Sequence, residues 1–149
     1  MASMADVYQG YYFSPIVDDA SLPESLFDAA RGGNLPSVNL VIGSNDNESL
    51  MYIRDTTTLQ SFMDSMFDSS AHAKVLEAVD GEARDLDKID RISTALTYTC
   101  PSLLLADAID ESGGRSWVYR FNRVREGFEP IGAYHGAELP YVFDQHDDW

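Results

Sequence analysis

The chain has 149 residues, and its 10 Lys+Arg against 25 Asp+Glu leave a formal net charge of −15. Such an excess repels phosphate backbones and anionic bilayer surfaces, and no segment concentrates Lys or Arg, so nucleic acid and membrane are disfavoured as partners. At 44% hydrophobic and 11% aromatic residues there is material for a core, and the length sets a ceiling of one soluble globular domain.

The single cysteine, Cys100, excludes an internal disulfide and a cysteine-rich zinc site, and it reads as a small buried apolar residue. No apolar run approaches the roughly 20 residues needed to span a bilayer. Met1 to Gly10 lacks a basic region followed by an apolar stretch, so the default location is the cytoplasm.

Tyr11 to Val17, aromatic and apolar around Pro15, suits an extended segment. Ser21 or Ser25 offers a cap for a short helix from Glu24 to Arg31, ended by Gly32 and Gly33. Val38-Asn39-Leu40-Val41-Ile42 is short and β-branched and stops at Gly43, the pattern of a strand buried on both faces. Gly43 to Asn47 is turn material that leads to Glu48, so a strand delivers a carboxylate to the loop at its C-terminal end.

Leu59, Phe62, Met63, Met66 and Phe67 recur at helical spacing, predicting a helix from Leu59 to Asp68, and a second short helix is expected from Ala71 to Val79. Asp85 is placed to cap a third helix carrying Leu86, Ile89 and Ile92 on one face. Thr94 to Asp110 is helical by composition, with Pro101 either beginning a new helix or kinking the old one. Ser116 to Phe121 alternates and reads as a second strand, with Trp117, Tyr119 and Phe121 on one face. Gly132 to Phe143 is a loop whose histidine, His135, has Gly136 beside it, which leaves room for close approach of backbone or substrate.

Each strand therefore feeds a loop with an ionisable residue, Glu48 in one and His135 in the other. Ligands of open α/β sheets bind beyond the carboxyl ends of the strands. Alone, Glu48 reads first as a helix-start carboxylate serving backbone donors, and His135 stays open between structural and catalytic roles. His72 and His146 read as surface residues. Asp85, Asp87 and Asp90 resemble a calcium loop only superficially, lacking its glycine and closing glutamate, and read as a solvated helix start. Three widely separated histidines argue against a metal site.

Three segments carry a resemblance. Phe13-Ser14-Pro15-Ile16-Val17-Asp18 is similar to F-x-P-V-V-D, Leu40 to Glu48 to L-L-I-G-T-N-x-D-E, and Gly132 to Phe143 to G-A-x-H-G-x-E-L-P-Y-V-F. Tyr98-Thr99-Cys100-Pro101 and Trp117 to Phe121 add a weaker match. In order and spacing the chain resembles the C-terminal part of a type B carboxylesterase/lipase, an α/β-hydrolase with a mostly parallel sheet flanked by helices.

The resemblance implies that His135 is the general base, that Glu48 is the acid orienting it, and that Glu138 is a framework residue. Neither cofactor nor metal is implied, because serine ester hydrolysis uses neither. Asn47 and Ser49 stand where the family usually has Asp and Gly, and Ala95 where it usually has Asp.

No G-x-S-x-G elbow and no glycine-rich oxyanion loop occurs in the chain. In this fold the order is serine, acid, histidine, so both belong upstream of Met1. Residues 1–149 are thus expected to be the C-terminal segment of one catalytic domain, incomplete by itself and inactive alone. Its partners are an ester substrate and the missing N-terminal portion, and with the true N-terminus elsewhere secretion stays open. The rival reading is a non-catalytic esterase-like binding module.

Overall fold

The computed structural model describes residues 15–18 and 20–145. Of the two candidate caps, Ser25 is the one used: its hydroxyl accepts from the Asp28 amide at the start of α1 (Leu26–Gly32). Gly33 ends the helix in the left-handed region at φ 70°, which costs an L side chain strain but not glycine. Most of the predicted opening segment, up to Ser14, lies outside the described residues.

Two strands, β1 (Asn39–Asn45) and β2 (Arg115–Phe121), pair in parallel, with Val41 beside Trp117, Gly43 beside Tyr119 and Asn45 beside Phe121. Parallel pairing requires a crossover. Here it contains helices α2 (Leu59–Met66), α3 (His72–Glu77), α4 (Asp85–Thr94) and α5 (Cys100–Glu111). Thr58 and Ser61 cap α2 reciprocally. Met63, Val79 and Ile92 are buried together, with Leu59, Phe62, Phe67, Val75 and Leu76 packed around them, and α5 lies against both strands.

Asp85 does not cap α4. Arg84 takes the cap position with extended backbone, and Asp85 and Asp87 occupy the first turn, where carboxylates favour the exposed amides. Between α4 and α5 the chain runs through a wide turn, Ala95–Thr99, in which the Cys100 amide reaches back to the Ala95 carbonyl. Pro101 accounts for it, since a proline ring has no N–H for the Thr97 carbonyl and collides with it in a regular helix. The extra residue shifts the helical phase, and Cys100, expected in the core, stands exposed.

The unbroken helical stretch from Asp85 to Glu111 is long and apolar enough, by length and composition, to cross a bilayer, a property that no uninterrupted apolar run within it reveals. One third of its most apolar window is buried within the protein.

The run from Val38 to Ile42 is not covered on both faces as predicted. Val41 is 69% exposed and its register partner Trp117 52% exposed, because nothing among the described residues lies over this part of the two-stranded sheet.

At Gly43 a Cβ would stand 2.2 Å from the Tyr119 carbonyl oxygen. Gly43→Ala is therefore expected to lower stability by about 1–3 kcal/mol through strand separation. Urea denaturation of the intact protein carrying this chain measures it; unchanged stability refutes the close approach.

Candidate active site

β1 ends in a turn whose successive residues take hold of the loop around His135 and of the neighbouring strand. The Asn45 amide donates to Glu48 Oε1 at 2.7 Å. The Asp46 amide donates to the Phe121 carbonyl and its carboxylate pairs with Arg120 on β2, which ties the turn to that strand. Asn47 grips Ala133 at both ends: its backbone amide donates to the Ala133 carbonyl at 3.1 Å, and its Oδ1 accepts from the Ala133 amide at 3.0 Å. The preceding Gly132 has φ 63°, and a Cβ there would lie 2.0 Å from Asn47 Oδ1, so only glycine lets the two loops meet. Asn45 Nδ2 donates to the Tyr134 carbonyl at 2.8 Å and to Glu138.

The outcome of these contacts is that Glu48 and His135, 87 positions apart, come together with Glu48 Oε2 at 2.6 Å from His135 Nδ1. Glu48 is 4% exposed, and both of its oxygens are engaged, one by backbone and one by the imidazole. A buried carboxylate needs such partners. With the proton on Nδ1 facing Glu48, the lone pair of the ring lies on Nε2. The His135 side chain is 46% exposed, and no described residue bonds its Nε2. A basic nitrogen is thereby held toward open space by a carboxylate behind it.

Two tyrosines border the imidazole. The Tyr98 ring lies 5.5 Å from it, centre to centre, and the Tyr52 ring 6.2 Å away. Burial pushes the Tyr98 phenol up from its ordinary value, and the charge of Glu48 adds to that. Glu138 accepts a hydrogen bond from Asn45 Nδ2.

Asp90 corrects the sequence reading of a solvated helix start. Asp87 does pair on the surface with Arg84, but Asp90 is 1% exposed. It accepts from the Asn47 side-chain amide and from the Ser49 backbone amide, each at 2.9 Å, and from the Thr94 hydroxyl at 3.3 Å. Burial pushes its carboxyl above the usual range, against the pull of these donors. The physical reason lies in helix phase, since Asp90 follows Leu86 by four residues and adjoins Ile89, on the side of α4 that packs inward.

His72, read as a surface residue, is partly buried, with its Nε2 3.2 Å from the Phe67 carbonyl where it closes the turn after α2. His146 lies outside the described residues. Among the described residues no group of three His, Cys, Asp or Glu side chains gathers as metal ligands do.

The profile of the carboxylesterase family matches residues 3–146 of the chain. The chain belongs to the carboxylesterase family. Para-nitrobenzyl esterase of Bacillus subtilis (strain 168) is 25% identical over 153 aligned residues, covering 99% of this chain and 30% of that protein. Two solved structures of PNB esterase superpose with TM-scores of 0.68 and 0.66, at 24% and 26% identity. Each covers 91% of this chain, which in turn covers 28% and 30% of theirs. The fold is that of an α/β-hydrolase, and the chain spans under a third of the length of these relatives.

Asn45, Asp90 and Tyr98 were not singled out from the sequence as members of the site. For Asp90 the signal was present, a carboxylate on the apolar side of an amphipathic helix. For Asn45 it was a polar residue closing an apolar strand; for Tyr98 nothing local marks the contact.

Asn45→Asp sets a second carboxylate against Glu138 and the Tyr134 carbonyl. Like charges raise the folded-state pKa of the pair, so its cost is full at neutral pH and fades as pH falls and a proton is taken up. We expect a loss of about 2–4 kcal/mol at pH 7 that shrinks markedly near pH 4.5. Denaturation of the intact protein at both pH values checks this, and an equal loss at both contradicts it.

Proposed function

We propose that this chain supplies the base and the orienting acid of a serine hydrolase acting on carboxylic esters. The observation carrying the proposal is the 2.6 Å contact between His135 Nδ1 and buried Glu48, with Nε2 turned to open space. Membership of the carboxylesterase family and likeness to a para-nitrobenzyl esterase support ester hydrolysis as the reaction.

In this reading His135 Nε2 takes the proton from a serine hydroxyl as the oxygen attacks the ester carbonyl. The tetrahedral intermediate collapses, the C–O bond to the alcohol breaks, and His135 returns the proton to the departing oxygen. Water then repeats the sequence on the acyl-enzyme, releasing the carboxylic acid and the serine. Glu48 keeps the Nδ1 proton in place and stabilises the imidazolium formed in each half. The serine elbow and oxyanion donors come from chain outside these 149 residues, which contain no G-x-S-x-G. Without them a base and its acid lack the main sources of acceleration, so the segment alone is inactive.

A panel of p-nitrophenyl esters of rising acyl length, tested on the intact protein, measures the activity. His135→Ala is expected to cut turnover by at least about 10³-fold, and Glu48→Gln to cut it less and leave a measurable remainder. Near wild-type turnover in His135→Ala overturns the assignment of the base. Hydrolysis of none of the esters by the wild type favours a binding module.

A further inference from the structure

We infer that Asp90 is a positioning residue for the Glu48–His135 pair, acting on both halves of it at once; the inference rests on the reading of that pair as base and acid. Its two carboxylate oxygens divide the work. Oδ1 accepts from the Ser49 amide, immediately after Glu48 in the chain, and fixes the backbone that carries the acid. Oδ2 accepts from Asn47 Nδ2, which forces Asn47 Oδ1 to face the other way. That oxygen accepts from the Ala133 amide, two residues before His135. The carboxylate of α4 thus sets which end of the Asn47 amide meets the histidine loop, and that choice sets the loop's distance from β1.

The polarity of this relay is unambiguous. A side-chain amide has one accepting and one donating end, and each end here meets its complement. The negative charge of the relay resides on α4, and the turn residue that passes it on, Asn47, is neutral. Asp46, Glu82, Asp87, Arg91 and Arg120 line the shallow cleft beside Asp90 and Asn47, so the neighbouring charges are mixed in sign.

Exchanging the two residues tests the inference. In Asp90→Asn alone, two amide donors meet at one contact whichever way the side chains turn. In Asn47→Asp alone, two carboxylates face each other and need a shared proton. In the double exchange the amide oxygen introduced on α4 can still accept from Ser49. Its amide nitrogen can donate to the carboxylate introduced in the turn, and that carboxylate can accept from Ala133.

We expect kcat for a p-nitrophenyl ester to fall about tenfold to a hundredfold in Asp90→Asn, with KM little changed, because small displacements of the reacting groups are costly. Asn47→Asp should fall as far at pH 8 and recover part of its kcat, relative to wild type, as the pH is lowered. The double variant should recover to within about threefold of wild type, since each donor again meets an acceptor. All are measured on the intact protein, with His135→Ala alongside and thermal unfolding recorded for each.

Full kcat in folded Asp90→Asn, or a double variant no better than the worse single, overturns the inference while an inactive His135→Ala leaves the base assignment standing. An active His135→Ala overturns that underlying reading instead. If Asp90→Asn fails to fold, the comparison of Asn47→Asp with the double variant still decides, since rescue requires the exchanged pair.

Discussion

The site depends on one constraint: the turn that closes β1 directs the side chains of Asn45, Asn47 and Glu48 at the backbone and the imidazole of a loop nearly ninety positions away. Asn45, Asn47 and Glu48 each commit a side chain to that loop. Buried amides and carboxylates left unpaired destabilise by more than their hydrogen bonds contribute when made, so the contacts hold together as a set. Glu48 meets His135 because its neighbours have already fixed the distance.

The same constraint explains where charge sits. Glu48 is neutralised in part by a backbone amide and an imidazole, Asp90 by a backbone amide and a side-chain amide, and Asp46 by Arg120. Three carboxylates share one end of a two-stranded sheet in a chain of net charge −15, and each is directed at a different donor. This separates their functions: one ties strand to strand, one aligns the turn, and one meets the histidine. Like charges pointed at a common centre would repel and raise one another's affinity for protons.

Much of the fold was legible in the residues themselves. A short β-branched run marked β1 and alternating aromatic residues marked β2, Ser25 and the glycines after it bracketed α1, and the apolar period from Leu59 onward located α2. The pairing of Glu48 with His135 was reached only through likeness to a family, since periodicity carries no information about which loops meet. Exposure misled in both directions. Val41 looked buried because apolar runs usually have a layer over them, and Asp90 looked solvated because a carboxylate early in a helix usually is. Cys100 was displaced by Pro101, whose effect on helical phase a composition count does not contain.

The parallel pairing of β1 with β2 also fixes an order of events. The strands cannot meet until the helices between them have folded back, and the acid reaches the histidine only after that loop has closed. Helical turns need only nearby residues, and the packing of α2 against α4 closes a shorter loop than the strands do, so both form early by comparison. The chain can therefore possess most of its helix and part of its core while its imidazole still lacks a partner. The contact between Glu48 and His135 arrives with this long-range closure, which makes the surroundings of His135 a reporter of completed folding.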